Sequence, residues 1–441
     1  MSPRKRYATK QATASARRRH SARERLERDQ RQAQRAAEAL HQALEDLGLP
    51  ANLVVEIEGR LRRQHKLLGK RVGRMFPALF GCRTPSELCR VRGWDKHWPT
   101  RMLEALPKRS WLKRLRRLGL EVVEPLWRHG EHKSPATQSR WQWTWVWDDS
   151  VFHKYGEQLG VVGRWGSGQQ KRVLSGIDGL VLLVVIGDGR LVVPVACALR
   201  RPDPMGPGAP CREKLSWARV MLDERLAAWQ RRGVALPPPI VVADSWLSDS
   251  KLMPHGHDAH QGTLVVEGKQ SSIFTLASGH KVKGRDLLQG AGWQWRQHPW
   301  EAGVYYVRLR ATSPTYGQVT VVIVDEPGPD RFYVLWLATS LSAPQLIRRW
   351  RRRTWSEFVV RTLKHLLATE ACQVHSEDAY YGHLVLRLMA SFVLFYTSRV
   401  GCKGCLTMEE IIFSLKHYWR FVDVEALELQ ALSSSLSENA A

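Results

Sequence analysis

The side chains with the clearest chemical potential lie between positions 350 and 364. At 100° per residue on an α-helix, four of them share an arc of roughly 60°: Trp350, Arg353, Glu357 and Lys364. One helix face would then present an aromatic ring, a carboxylate and two cations, which suits contact with phosphate groups. Taken alone, the segment also fits an exposed helix in which Glu357 pairs with Arg353 and Arg361.

Two further carboxylates follow apolar strands. Tryptophans alternate at 141, 143, 145 and 147 and predict a strand that ends at Asp148, and the run 240–243 predicts another that ends at Asp244. If these strands are neighbours, the two carboxylates lie side by side. With Glu357 they would offer hard oxygen ligands, which suit two Mg²⁺ or Mn²⁺ ions. Asp149 is an alternative to Asp148 as the first ligand.

These residues carry a resemblance to a known family. The pattern Trp350-x2-Arg353-x3-Glu357-x6-Lys364, together with Asp148-x-Ser150 and Asp244-Ser-Trp, resembles the DDE transposases of bacterial insertion sequences. That family has the signature Tyr-x2-Arg-x3-Glu-x6-Lys, so Trp350 keeps the aromatic ring and lacks the hydroxyl. The resemblance covers about 140–400 and favours Asp148 over Asp149, because the family motif reads Asp-x-Thr/Ser.

The resemblance implies an α/β fold, with an RNase H-like mixed-sheet catalytic domain that is interrupted by a β-rich insertion and preceded by a small helical domain. It makes Asp148, Asp244 and Glu357 the catalytic ligands of two Mg²⁺ or Mn²⁺ ions. It also implies that Trp350, Arg353 and Lys364 contact DNA. Such enzymes cut double-stranded DNA at terminal inverted repeats and join the released ends to target DNA, usually as homodimers.

The composition agrees with a nucleic-acid partner. The chain of 441 residues has 67 Lys and Arg against 42 Asp and Glu, which gives a net charge of +25 and a pI near 10.2. Its seven cysteines are too sparse for a disulfide scaffold and favour a reducing compartment. The apolar run near 384–397 is interrupted by Arg387, so the sequence predicts no membrane association and a cytoplasmic, nucleoid-associated protein.

Composition and periodicity divide the chain into six segments. A basic arm and helix cover 1–47, and a helical, DNA-binding domain covers 48–128. The catalytic domain occupies 139–255 and 341–400, on either side of the β-rich insertion at 256–340. A helical region and tail, 401–441, follow. Within this scheme, one continuous helix is predicted from 343 to about 369, where Ser342 and Gln345 have capping-box spacing.

Three weaker patterns allow other chemistry. His255, His257 and His260 could bind a transition metal, but they lie in a Pro-, Gly- and Asp-containing segment without a cysteine or carboxylate ligand frame, which favours a solvated loop. Cys402-x2-Cys405 lacks a second ligand pair for zinc. Trp293, Trp295 and Trp300 in the insertion could stack on a base, although core packing is the more ordinary role of a tryptophan.

Two alternatives to an active transposase remain open from the sequence. One is a domesticated or inactive relative that binds DNA without cutting it. The other is a DDE-type nuclease that is not used in transposition. The sequence leaves open the inverted repeats, the target preference, the route of excision and the role of the N-terminal arm.

Overall fold

The computed structural model describes most of the chain and divides it into two compact units. The first unit comprises 1–105, 366–371 and 390–441, and the second comprises 106–365 and 372–389. The described residues are 3–47, 98–104, 106–131, 143–154, 159–167, 172–187, 189–202, 212–234, 238–248, 252–290, 292–327, 331–336, 341–372 and 374–421. Most of the predicted helical domain at 48–128 therefore lies outside the described residues.

Ten α-helices are described, and we number them in chain order. They are α1 Pro3–Asp46, α2 Trp98–Glu104, α3 Lys108–Glu131, α4 Arg212–Gln230, α5 Leu252–His260, α6 Gly284–Gln289, α7 Ala343–Trp350, α8 Thr354–Arg361, α9 Glu377–Tyr396 and α10 Met408–Phe421.

In the first unit, α1 packs against α10. Apolar side chains of α1 recur at intervals of three or four residues and are buried: Ala33, Ala36, Leu40, Ala43 and Leu44. This spacing places them along one side of the helix. The start of α10 has a capping box, because the Glu410 carboxylate accepts hydrogen bonds from the Thr407 backbone N–H and hydroxyl.

The second unit is built on one mixed sheet of twelve strands. They are β1 Trp143–His153, β2 Val162–Ser167, β3 Arg172–Ile186, β4 Leu191–Leu199, β5 Ile240–Ala243, β6 Thr263–Glu267, β7 Ile273–Leu276, β8 Lys281–Lys283, β9 Arg296–Gln297, β10 Tyr305–Ser313, β11 Gly317–Asp325 and β12 Phe332–Trp336. The path of hydrogen-bonded neighbours is β2-β3-β1-β5-β6-β12-β11-β10-β7-β8, with β4 on β3 and β9 on β10. The chain is thus a mixed α/β protein with an N-terminal helix.

The centre of this sheet combines antiparallel and parallel pairs. β1 runs antiparallel to β3 and parallel to β5, and β5 runs parallel to β6. β4 is antiparallel to β3. β6 falls inside the range predicted as the insertion, yet it continues the central sheet and also pairs with β12. The strands from β6 to β12 therefore extend one sheet.

β3 and β4 form a hairpin, and its turn depends on glycine. Gly187 and Gly189 have φ values of 61° and 80°, which side-chain-bearing residues adopt rarely. A Cβ atom on Gly189 would lie 1.9 Å from Cε2 of Trp355 in α8. The turn and α8 therefore approach each other as closely as a bare backbone permits.

The predicted continuous helix over 343–369 is wrong in one respect. Its capping box is present, since Gln345 Oε1 accepts from the Ser342 backbone N–H at 2.8 Å. However, a 3₁₀ turn, Arg351–Arg353, separates α7 from α8, and a π turn, Thr362–Leu366, follows α8. At the break, the guanidinium groups of Arg349 and Arg352 donate to Thr144 Oγ1 of β1 at 3.2 and 2.8 Å. Helical periodicity carries no information about such distant partners.

Among the described residues, one helical stretch is long and apolar enough to cross a membrane by length and composition. It runs from Glu377 to Gly401, and 78% of its most apolar window is buried inside the protein. The core helices of soluble proteins pass the same test, so this stretch is weak evidence for a membrane span.

Candidate active site

Asp148 and Asp244 lie level with each other on neighbouring strands. Asp244 directly follows β5 as predicted, but the predicted strand end at Asp148 is wrong, because β1 continues to His153 and Asp148 pairs with Val181 of β3. The parallel register of β1 and β5 pairs Trp145 with Val241 and Val146 with Val242. Two residues further along each chain, Asp148 and Asp244 follow in the same register. Side chains paired across parallel strands project to the same face of a sheet. The register therefore places both carboxylates level with each other on one face of the sheet.

A third carboxylate continues this row. β5 pairs with β6 so that Ala243 faces Val266, and the next residues are Asp244 and Glu267. Glu267 was not predicted from the sequence as a site residue, although its signal was the same as for the aspartates: an acidic residue directly after an apolar run. Burial raises the pKa of Glu267, and Asp244 and Glu357 raise it further, while Arg353 works in the opposite direction.

Asp148 and Asp149 project to opposite faces of β1. Thr144, on the Asp148 face, accepts hydrogen bonds from Arg349 and Arg352, so this face is covered by the α7–α8 region. On the other face, Asp149 pairs with Lys214 of α4. The structure thus places Asp148 on the side of Glu357 and directs Asp149 toward α4.

Negative charge is concentrated and partly dehydrated in this row. Burial raises the pKa of Asp148 to about 7, with further contributions from the charges of Asp149 and Asp244, while a hydrogen bond from Ser356 and the charge of Arg353 act against the rise. The pKa of Asp244 is also raised, first by burial and then by Asp149. Carboxylates in such surroundings are stabilised by a cation.

Arg353 supplies positive charge to this group. Its Nη2 lies 3.0 Å from Glu357 Oε1 and 4.0 Å from Glu267 Oε2. The charge of the same guanidinium acts against the burial that raises the pKa values of Asp148, Asp244 and Glu267. Arg353 is therefore electrostatically coupled to every carboxylate of the row, and its side chain is only 20% exposed.

Glu357 occupies a different environment from the two aspartates. Its side chain is 57% exposed and pairs with Arg353 in the i,i+4 manner that the sequence allowed as the simpler interpretation. Within the described stretches, one group of three ligand-type residues has all its ligand atoms within 4.8 Å of one another, and it is Asp223, His255 and His260. The trio of Asp148, Asp244 and Glu357 is more open than that limit.

The two remaining predicted DNA contacts lie beside aromatic rings. Trp350 stacks on Phe332 with ring centroids 4.5 Å apart, and Arg353 lies 5.7 Å from the Trp350 ring. Lys364 Nζ is 5.7 Å from the ring of Phe152. Trp350 thus packs against β12, while Arg353 links it to the carboxylate row.

Sequence reasoning also missed Trp246 and Lys214. Trp246 follows Asp244 by two residues, donates its backbone N–H to Asp244 Oδ1 at 3.0 Å, and has 62% of its surface exposed. Lys214 lies between two carboxylates of the other face, Asp149 and the buried Asp178. Trp246 was recognisable as part of Asp244-Ser-Trp, whereas the pairing of Lys214 depends on the fold.

The three insertion tryptophans have different environments. Trp293 donates to the carbonyl of Leu287 at 3.1 Å, and Trp295 lies 4.9 Å from the Arg331 guanidinium. Trp300 is 57% exposed. Trp300 is thus the insertion tryptophan with the largest surface free for stacking among these three.

The donor set of the row of Asp148, Asp244 and Glu267 fits a hard divalent cation. Carboxylate oxygens on adjacent strands, with raised pKa values, are the ligands that Mg²⁺ and Mn²⁺ prefer. No protein-family model matches the chain, and no curated protein is significantly similar to it. The chemistry of this site therefore has to be argued from its residues.

Proposed function

We propose that the chain is a metal-dependent DNA transposase that cleaves phosphodiester bonds at the ends of an insertion sequence and transfers the strand to target DNA. The observation that carries the proposal is the level placement of Asp148, within β1, and Asp244, directly after the adjacent parallel strand β5, on the face covered by the Arg351–Arg353 turn and α8. This is the arrangement expected from the DDE resemblance.

The strand order supports an RNase H-like core. β1, β3 and β4 form an antiparallel series, β2 pairs with the first part of β3, and β5 and β6 lie in parallel on the other side of β1. The mixed sheet β4-β3-β1-β5-β6 agrees with the mixed-sheet catalytic domain that the resemblance implies. Strands β7 to β12 would then correspond to the β-rich insertion.

Each residue of the row has a role in this proposal. Asp148 and Asp244 would hold the cations, with Glu357 as the third ligand by resemblance and Glu267 as a neighbour in the same row. Bound Mg²⁺ or Mn²⁺ would activate a water or hydroxyl and stabilise the leaving oxygen. Arg353 now pairs with Glu357, and we expect its guanidinium to bind a DNA phosphate when one enters the site.

The surroundings favour DNA as the substrate. The net charge of +25 supports salt-dependent binding of a polyanion. Lys364 would contribute a further phosphate contact, and the exposed ring of Trp246 beside Asp244 offers a surface for base stacking. We expect the partners to be terminal inverted repeats and target DNA, a homodimer to form the active complex, and the cytoplasm and nucleoid to be the location.

One observation favours the second candidate, a relative that binds DNA without cutting it. The Glu357 carboxylate is exposed and paired with Arg353 instead of being gathered with Asp148 and Asp244. In the active enzyme this ion pair has to open when DNA and metal bind. In a binding protein it would persist.

The test is a cleavage and joining assay on DNA that carries the inverted repeats flanking the gene. Wild type should produce Mg²⁺-dependent cuts and joined products. Asp148→Asn and Asp244→Asn should each slow cleavage by about 10³-fold, because several kcal/mol of transition-state stabilisation is lost. Glu357→Gln should have a similar effect, and Asp29→Asn on the exposed part of α1 should have none.

Each other outcome selects an alternative. DNA binding without a metal-dependent cut by wild type would favour the binding protein, and cutting without joining would favour the nuclease. A larger loss in Asp149→Asn than in Asp148→Asn would transfer the first ligand role to Asp149.

A further inference from the structure

A second group of ligand-type side chains joins α4 to α5. Asp223 of α4 receives His255 and His260 of α5, and each histidine Nε2 lies 2.7 Å from the same oxygen, Asp223 Oδ1. The imidazole rings meet edge to face with centroids 5.4 Å apart. The sequence predicted a solvated loop here, whereas these histidines lie on the helix α5. The local pattern could not reveal the carboxylate, because Asp223 belongs to a different helix.

We propose that Asp223, His255 and His260 bind one divalent transition-metal ion of the Zn²⁺ class and thereby clamp α4 to α5. Two imidazole nitrogens and one carboxylate oxygen, all within 4.8 Å of one another, form a three-ligand set typical of zinc with one position open to water. Imidazole ligands favour Zn²⁺, Co²⁺ or Ni²⁺ over Mg²⁺. This inference does not rest on the proposed transposase activity.

The geometry is close to what an ion requires. Zinc bonds to nitrogen and oxygen of about 2.0–2.1 Å at tetrahedral angles separate neighbouring ligand atoms by about 3.3 Å. Each 2.7 Å contact therefore has to open by about 0.6 Å, a displacement that side-chain rotation can supply.

Exposure also suits an ion that enters from solvent. The side chains of His255 and His260 are 14% and 18% exposed, whereas that of Asp223 is 42% exposed. The imidazoles are thus held in place by their surroundings, and the carboxylate is accessible to an incoming hydrated cation. Burial works to raise the pKa of Asp223, but hydrogen bonds from His260 and His255 lower it below its ordinary value.

A nearby arginine, Arg219, influences which nitrogen of His255 carries the proton. Arg219 Nη2 lies 3.4 Å from His255 Nδ1. Without metal, His255 can carry its proton on Nε2 and donate it to Asp223, which leaves Nδ1 to face the guanidinium as an acceptor. Coordination through Nε2 moves that proton to Nδ1, where it meets another donor. Arg219 therefore opposes metal binding, both through this contact and through its charge.

The clamp would join the helix that precedes β5 and Asp244 in the chain to the helix that follows them. α4 carries Lys214, which pairs with Asp149 next to Asp148. α5 follows the turn that begins at Asp244. An ion bridging α4 and α5 would hold these two segments at a fixed separation.

The test is a Co²⁺ titration of tag-free, full-length protein, followed by visible absorption and by displacement with Zn²⁺. A Cys402→Ser/Cys405→Ser background removes two thiols that could compete for the ion. We expect one ion per chain with the spectrum of a nitrogen- and oxygen-ligated site. Asp223→Asn and His255→Gln should each weaken binding by at least about tenfold, since loss of an outer-shell partner alone costs that much.

Two matched variants make the result decisive. His280→Gln, in the exposed turn between β7 and β8, should bind Co²⁺ as the background protein does. Arg219→Gln keeps all three ligands and supplies an amide oxygen to accept from Nδ1, so it should bind Co²⁺ more tightly. Equal binding by the background protein and His255→Gln, or weaker binding by Arg219→Gln, would overturn the proposal. Circular dichroism of each variant separates loss of the site from loss of the fold.

Discussion

The carboxylate row of Asp148, Asp244 and Glu267 differs from the α4–α5 group of Asp223, His255 and His260 in how the carboxylate charge is balanced. Burial and neighbouring like charges raise the pKa values of Asp148 and Asp244. Asp223 receives two imidazoles, and its pKa is lowered. The first group requires positive charge from outside or from Arg353. The second is already satisfied by hydrogen bonds, so a metal ion there has to replace existing contacts.

A third arrangement, on the opposite face of β1, shows how the chain neutralises carboxylates by itself. Lys214 contacts Asp149 and lies 3.4 Å from Asp178, which is also 3.6 Å from Arg200. Asp178 is 3% exposed. Here a built-in ammonium does what a cation is proposed to do for Asp148 and Asp244.

The largest expected effect on stability comes from removing that ammonium. Lys214→Met should destabilise the protein by about 3 kcal/mol at pH 7, because buried carboxylates lose their partner. Burial raises the pKa of Asp178, and Lys214 acts against the rise. The variant should therefore lose more stability as pH increases above 4, where the unfolded state ionises. Urea unfolding measures this, with the exposed Lys113→Met as control. Equal stability of both variants would contradict the pairing.

A smaller effect is expected at Asp148 in chelator-treated protein. Its pKa is 3.8 in the unfolded chain and about 7 in the folded one. The folded state therefore binds the extra proton between these values, and stability falls as pH rises from about 4 to 7. Asp148→Asn should abolish this fall and stabilise metal-free protein at pH 8 by about 1–3 kcal/mol. Unfolding from pH 4 to 8 tests it against Asp29→Asn, and an unchanged slope in Asp148→Asn would refute it.

The smallest effects separate the two groups by metal. Mg²⁺ should raise the melting temperature of wild type by a few degrees, and Asp148→Asn should lose this gain while keeping the response to Co²⁺. His255→Gln should show the reverse pattern. Differential scanning calorimetry with each ion gives the comparison. If one substitution removed both responses, the two groups would not be independent sites.

Much of the fold was predictable because its signals are local. The Gly187 and Gly189 turn, the position of Asp244 directly after β5, and the capping boxes at Ser342 and Thr407 all follow from residues close in sequence. The predicted strand end at Asp148 was wrong, because β1 runs on to His153. The sequence predicted adjacent aspartates only if their two strands were neighbours. The parallel pairing of β1 with β5 meets this condition.

The missed features depend on partners far along the chain. The break after Trp350 accompanies contacts of Arg349 and Arg352 with Thr144, more than 200 positions away. The histidine group needed Asp223, which lies 32 positions before His255. Glu267 was the exception, because it ends an apolar run in the sequence as the two aspartates do, and that signal was present without any knowledge of the fold.

The close approach of Gly189 to Trp355 restricts how this sequence can evolve. Any side chain at 189 would enter the space of the indole, which belongs to the same helix as Ser356 and Glu357. Replacement of Gly189 is therefore tolerated only after Trp355 has been replaced by a smaller residue. Descendants of this chain are expected to change the two positions together and in that order.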